Sequence, residues 1–196
     1  EPQRIGNIRM LARRLVAGDR WDIVFNIAEG LRGFGREAQI PALLDAWNIP
    51  YVFSDPLVLS LTLHKAMTKR IIRDAGIPTP DFAVVESVAE AEAINLGFPL
   101  FAKPVAEGTG KGINTASKIS DKAQLIDVCS QLLKNFNQPV LVETFLPGRE
   151  FTVGIIGTGA AAHVPGVMEV LFTEKAQKDI YSYQNKEQWK GRIEYH

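Results

Sequence analysis

The sequence holds a single cysteine, Cys129, no excess of either charge and no long apolar run. Each absence excludes something. One thiol cannot close an internal disulfide, so the expected setting is reducing and cytoplasmic. The 22 basic residues are balanced by 22 acidic ones and form no stripe, which removes the electrostatic basis for binding nucleic acid. No apolar stretch reaches the length of a membrane span, and no secretory signal pattern opens the chain. Internal repeats and low-complexity tracts are also missing. Residue 1 is glutamate rather than methionine, which reads as a processed or excised chain. What is there is a globular composition: 196 residues, 46% hydrophobic, long enough for one large core or two smaller ones.

Hydrophobic spacing predicts the elements. A helix is expected over 7–17, ending near Gly18, then a buried strand in "WDIVFN" (21–26). A glycine-rich loop (29–35), a helix with apolar residues at 40, 43, 44 and 47, and a strand "IPYVF" (49–53) complete a strand–helix–strand unit. Two helices follow between Leu57 and Ala75, broken near residues 63–65, and "GIPTP" stops the second. That stop is the expected domain boundary, giving domains 1–78 and 79–196. Beyond it the pattern predicts a strand "FAVV", a short helix over 88–96, strands "LFAKPV" and "INTASKI", and a helix over 121–136. The last has one apolar face: Leu125, Val128, Cys129, Leu132, Leu133 and Phe136. "PVLVETFL" and "EFTVGIIG" read as strands around the turn Pro147-Gly148. The fold class expected is α/β, with an α+β lobe in the second half.

Two stretches carry chemistry. In "FAKPVAEGTGKGI" (101–113) a lysine sits in an apolar strand and is followed by Gly108, Gly110 and Gly112. A lysine there either meets a partner carboxylate or points at an anion, because a bare buried ammonium is costly. Glycines let backbone N–H groups approach an anion closely, although a glycine hairpin between strands is also simply a flexible turn. The helix-borne phosphate loops do not fit, since Lys111 is followed by Gly112 rather than Ser or Thr, and no helix follows. "GLRGFG" (30–35) fails the same tests. In "LVETFLPGREF" (141–151) backbone groups at 144–146 are placed to read an adenine edge, Phe145 and Leu146 to wall the base, and a carboxylate to take ribose hydroxyls. The plainer account is a hairpin with two exposed acids.

Together, in this order and spacing, these stretches resemble the ATP-grasp enzymes and, among them, the D-alanine–D-alanine ligases. The similarity also covers "DIVFNIAEG" and "REAQIPALLDAWNIPYVFSDPLVLSLTLHKAMTKRIIRDAGIPTPDF". The resemblance implies a partial, doubly wound domain preceding the ATP-grasp domain, followed by the N-lobe and the start of the C-lobe of an ATP-grasp domain. It implies ATP and Mg²⁺ as cofactors. Lys65, Lys103 and Lys186 would face the phosphates, Glu107, Gly108, Thr109 and Gly110 would form a lid, and Glu143, Thr144, Phe145, Leu146 and Glu150 would hold adenine and ribose. Lys103 and Lys186 would carry the catalytic electrostatics. Glu29, Thr109 and Glu187 would face the amino-acid substrate.

The implied activity is ATP-dependent dipeptide formation through an acyl phosphate, with small amino acids as partners, no nucleic acid or membrane partner, and a homodimer as a compatible assembly. The alternatives are an ATP-grasp ligase for other amino acids or peptides, and a non-catalytic nucleotide-binding fragment. Departures from the ligase pattern fall on the substrate side: Glu29-Gly30 where those ligases carry His-Gly, Thr109-Gly110 where they carry a serine pair, and Glu187 where they carry an aromatic residue. The family's acid and Glu-x-Asn metal block is not found over 150–196. Glu169, Glu174, Asp179, Glu187 and Glu194 read as solvated surface, and no metal ligand is expected in this chain. The expectation is therefore a chain short at both ends, inactive as it stands and weak for ATP.

Overall fold

A computed structural model describes residues 1–176 and 180–196. They divide into two units, Glu1–Thr79 with Val105–Gly108, and Pro80–Pro104 with Thr109–His196.

In the first unit, α1 (Ile8–Val16) starts where the Asn7 side chain accepts from the N–H groups of Arg9 and Met10, at 3.0 and 3.2 Å. Its buried residues Leu11 and Leu15 lie four apart, on one face. They pack with Ile40 and Leu44 of α2 (Gln39–Ala46) and with Val24 and Ile49. The strands expected at 21–26 and 49–53 reduce to a single parallel bridge, Val24 to Tyr51, on either side of α2. The apolar run suggested a strand covered on both faces, but Val24 and Asn26 are buried while Ile23, Phe25 and Ile27 are exposed. α3 (Pro56–Leu63) opens on an Asp55 cap and a first-turn proline. His64 ends it and caps α4 (Lys65–Asp74), its ring Nδ1 accepting from Met67 N–H at 3.3 Å.

The second unit carries two antiparallel sheets. One is built from β1 (Phe82–Val85), β2 (Leu100–Pro104), β3 (Lys118–Ile119) and β4 (Val140–Thr144), in the order β1-β4-β2-β3. The other is β5 (Glu150–Val153), β6 (Val167–Phe172) and β7 (Ile193–Tyr195), in that order. α5 (Val88–Ala93) stops short of the expected 96, the chain turning extended at Ile94 (φ −60, ψ 129), and the Lys122 ammonium takes carbonyls left open at that end, Ala91 O at 3.2 Å and Ile94 O at 3.1 Å. α6 (Lys122–Phe136) runs from an Asp121 cap to Asn137, left-handed at φ 48. Its predicted face is buried at Leu125, Val128, Cys129 and Leu132, with Leu133 and Phe136 alongside, against Val85, Leu100 and Val142.

One strand expectation in this unit fails. "INTASKI" pairs only at Lys118–Ile119, because Asn114 and Ser117 cap a 3₁₀ turn at Thr115–Ser117 with their own side chains. The two strands expected around Pro147-Gly148 are present as β4 and β5, but they do not pair with each other. β4 pairs with β1 and β2, while β5 pairs with β6, so the turn carries the chain from one sheet to the other.

Candidate functional site

Side chains alternate across a strand, and β2 follows the rule: Leu100, Ala102 and Pro104 are buried while Phe101 and Lys103 stand on the other face. β3 and β4 bring Lys118 and Glu143 level with Phe101 on either side. This face forms one wall of a cleft of about 830 Å³ within the second unit, and residues 145–150, Phe172, Tyr181 and Lys186 line the rest. The volume is that of a small-molecule site, which runs roughly 300–1,000 Å³.

The wall is aromatic and charged together. The Phe101 and Phe145 rings lie 6.2 Å apart, and the Lys118 ammonium stands 4.6 Å over Phe145. Of the two outcomes open to Lys103, the partner carboxylate is present: its Nζ lies 2.5 Å from Glu143 Oε1. Opposite, Lys186 lies 4.6 Å over the Tyr181 ring. Burial lowers the Lys186 pKa, with Glu150 opposing and Lys103 adding to the effect. Burial likewise raises Glu150, against the charge of Lys186, a backbone hydrogen bond from Tyr181 and the charge of Lys103. Lys186 owes its place to α7 (Tyr183–Glu187), where Ser182 caps the helix and buried Asn185 donates to Ile180 O at 2.8 Å.

The adenine edge expected at 144–146 narrows. Thr144 and Phe145 N–H already donate to Asp81 O and Pro99 O, both at 3.0 Å, whereas Leu146 N–H has no partner among the described residues. Leu146 itself is exposed at the cleft, and Glu150 faces the same space.

The glycine segment lies across both units. Its left-handed positions are Thr109, Gly110 and Gly112, at φ 54, 84 and 78. A Cβ on Gly112 would stand 2.6 Å from Pro104 Cγ, so glycine is required there by space as well as by φ. Past it, Ile113 O accepts from Tyr183 N–H at 3.3 Å, which ties the segment to α7. Thr109 and Glu187 are exposed.

In the first unit, Lys65 donates from its ammonium to Glu107 O and from its backbone N–H to Val105 O at 2.9 Å. Arg36 reaches Ala106 O at 2.9 Å and the Glu107 carboxylate at 3.5 Å. Burial raises the Glu37 pKa, against Arg36 and with the help of Glu29. A Cβ on Gly108 would lie 3.8 Å from Glu29 Oε2 and 3.9 Å from Glu37 Oε1.

Sequence reasoning missed Lys118, Arg36, Glu37 and Asn185. Lys118 was findable, since strand alternation beside buried Ile119 turns it to the face of Phe101. No three His, Cys, Asp or Glu among the described residues gather in a way that could hold a metal ion. Asp179 lies outside the described residues. No helix among them is long and apolar enough to cross a membrane.

A family model described as "D-ala D-ala ligase C-terminus" matches residues 71–196. The chain is 36% identical to a D-alanine--D-alanine ligase of Bordetella petrii over 180 residues, 91% of this chain and 52% of that protein. Among solved structures, a D-alanyl-alanine synthetase A from Vibrio cholerae superposes with a TM-score of 0.66 at 19% identity, over 89% of this chain and 51% of that one. The VanG D-Ala:D-Ser ligase from Enterococcus faecalis superposes with a TM-score of 0.65 at 26% identity, over 79% of this chain and 44% of that one. The chain thus spans about half the length of the proteins it matches.

Proposed function

Because the chain belongs to the D-alanine–D-alanine ligase family, we propose that it serves an ATP-dependent ligase that joins two amino acids, with D-alanine as the first candidate. The observation that carries this reading is the cleft of about 830 Å³, with phenylalanine rings on one wall and the ammonium groups of Lys103 and Lys186 beside the carboxylates of Glu143 and Glu150. Phe145 and Leu146 flank the base, with Leu146 N–H and the Glu143 carboxylate at its edge. Glu150 takes ribose hydroxyls. Lys103 and Lys186 neutralise phosphate charge, and residues 109–112 close over it and exclude water.

The reaction proposed has two steps. A substrate carboxylate oxygen takes the γ-phosphoryl group and ADP leaves. The amine of the second amino acid then attacks the acyl carbon, the C–O bond to phosphate breaks, phosphate leaves with the electron pair and the amine gives up a proton. Charge placement and positioning supply the catalysis, and no side chain need form a covalent bond. Thr109 and Glu187 are proposed to face the amino acids. Their types differ from the ligase pattern, so the amino acid selected is the open variable within the reading. The cytoplasm supplies ATP and free amino acids, and we place the protein there.

An ADP-release assay over D- and L-amino acids, run beside calorimetry with ATP, tests the proposal. Saturable ATP binding that Lys103→Met weakens by about tenfold or more supports it. Absence of ATP binding by the wild-type protein at millimolar nucleotide overturns it.

A further inference from the structure

We infer that Arg36 is a positioning residue for the glycine segment, holding its leading arm at residues 105–108 while touching no nucleotide itself; the inference rests on the nucleotide reading above only for its functional consequence. Three successive carbonyls of this arm each accept from a donor in the first unit. Val105 O takes Lys65 N–H at 2.9 Å, Ala106 O takes Arg36 Nη1 at 2.9 Å, and Glu107 O takes the Lys65 ammonium. The arm begins where β2 ends at Pro104, so the sheet no longer supplies those donors. Val105 and Ala106 are fully buried, which leaves their carbonyls no water to fall back on. The guanidinium also lies 3.5 Å from the Glu107 carboxylate, with only 13% and 17% of the two side chains exposed.

Arg36 is itself held in place. It opens the 3₁₀ turn Arg36–Ala38, and its carbonyl presses so closely on Gly30 that a Cβ there would stand 2.1 Å from the oxygen. Gly30, at φ 75, is the residue that permits this approach.

The segment is thereby tied on both sides. Arg36 and Lys65 fix the arm before Thr109, and the Tyr183 N–H to Ile113 O bond fixes the exit at 3.3 Å. Only the residues between are left to rearrange around an anion. Loosening the leading tie enlarges the set of conformations that a phosphate must order, so affinity falls although nothing that touches phosphate has changed.

Trypsin reads the segment directly, because Lys111 lies within it. The protein, Arg36→Lys and Arg36→Gln are digested briefly without nucleotide, and cleavage after Lys111 is quantified against cleavage after Lys122 and Lys134 of α6. The expectation is a rise of about tenfold at Lys111 relative to the α6 sites for Arg36→Gln, with Arg36→Lys in between, since one charge-assisted bond is at stake. ATP affinity should weaken in the same order. A general loss of structure would raise all three sites together, and that result, or an unchanged rate at Lys111, overturns the inference. If Arg36→Gln does not fold, Arg36→Lys decides by the same ratio. If the wild-type protein binds no ATP, the nucleotide reading falls, yet the nucleotide-free cleavage ratio still decides the role of Arg36.

Discussion

Lys103 and Glu143 meet on one face of the four-stranded sheet, Nζ to Oε1 at 2.5 Å, although neither lies opposite the other: Glu143 is level with Phe101 and Lys103 with Leu141. The contact is a diagonal one, reached by a long side chain leaning along its strand. It leaves the ammonium at the cleft surface, paired but not enclosed, where a phosphate can share it.

Lys103→Met should weaken ATP binding by about tenfold or more, as expected for losing a hydrogen bond to a charged group worth roughly 1.5–3 kcal/mol. Glu143→Gln keeps an acceptor for Lys103 and should cost less. Calorimetry with ATP on both variants checks the order, and equal losses would contradict it.

A second expectation concerns pH. Burial holds Lys186 below its ordinary 10.5, so the folded state binds its proton less readily than the unfolded chain does. Charging Lys186 therefore costs the fold stability at neutral pH, and the cost is relieved as pH rises through the depressed value toward 10.5. Glu150, raised above 4.5 by burial, behaves oppositely: its cost is present at neutral pH and is relieved as pH falls through the folded value toward 4.5. Bound phosphate favours the charged lysine. ATP affinity should accordingly decline on the alkaline side before an ordinary lysine would titrate, and Lys186→Met should flatten that limb. Binding titrations at stepped pH measure both.

Gly112→Ala should destabilise the fold by about 2 kcal/mol or more, combining the left-handed penalty for a side chain with overpacking. The new Cβ would stand 2.6 Å from Pro104 Cγ and 3.0 Å from Phe136 Cζ. Urea unfolding gives the shift, and a change within about 0.5 kcal/mol would count against this packing.

Burial pushes the Cys129 thiol up to about 11, and no surface of it is exposed. A thiol reagent at mildly alkaline pH should leave the native protein unmodified and label it fully in denaturant. Rapid labelling of the native state would show that α6 does not cover the sheet as described.

Much of the second unit was legible, because its signals are local. Asp121 and Asn137 bracket α6, and one apolar face announces what it covers. Strand alternation around Lys103 was legible too, but its partner was not, since Glu143 lies 40 residues on and only the register of β2 against β4 joins them. The partners of the two strands around Pro147-Gly148 were illegible for the same reason. Two apolar runs around a proline-glycine turn look alike whether they pair with each other or with other strands, and the choice is made by tertiary packing. Arg36 gave no signal at all, because its partners are backbone carbonyls 70 residues away, and carbonyls look the same in every sequence.

The position of β4 has a consequence for how this chain comes to be folded. β1 and β2 do not touch each other; both pair with β4, which is made after them. During synthesis, the first two strands must therefore emerge and wait with unsatisfied edges until residues 140–144 arrive between them. The intervening α6, with its own start and stop signals, is the element able to form in that interval and to shelter the apolar faces of the waiting strands. The sheet is completed only when β4, its last-made member, takes its place between β1 and β2.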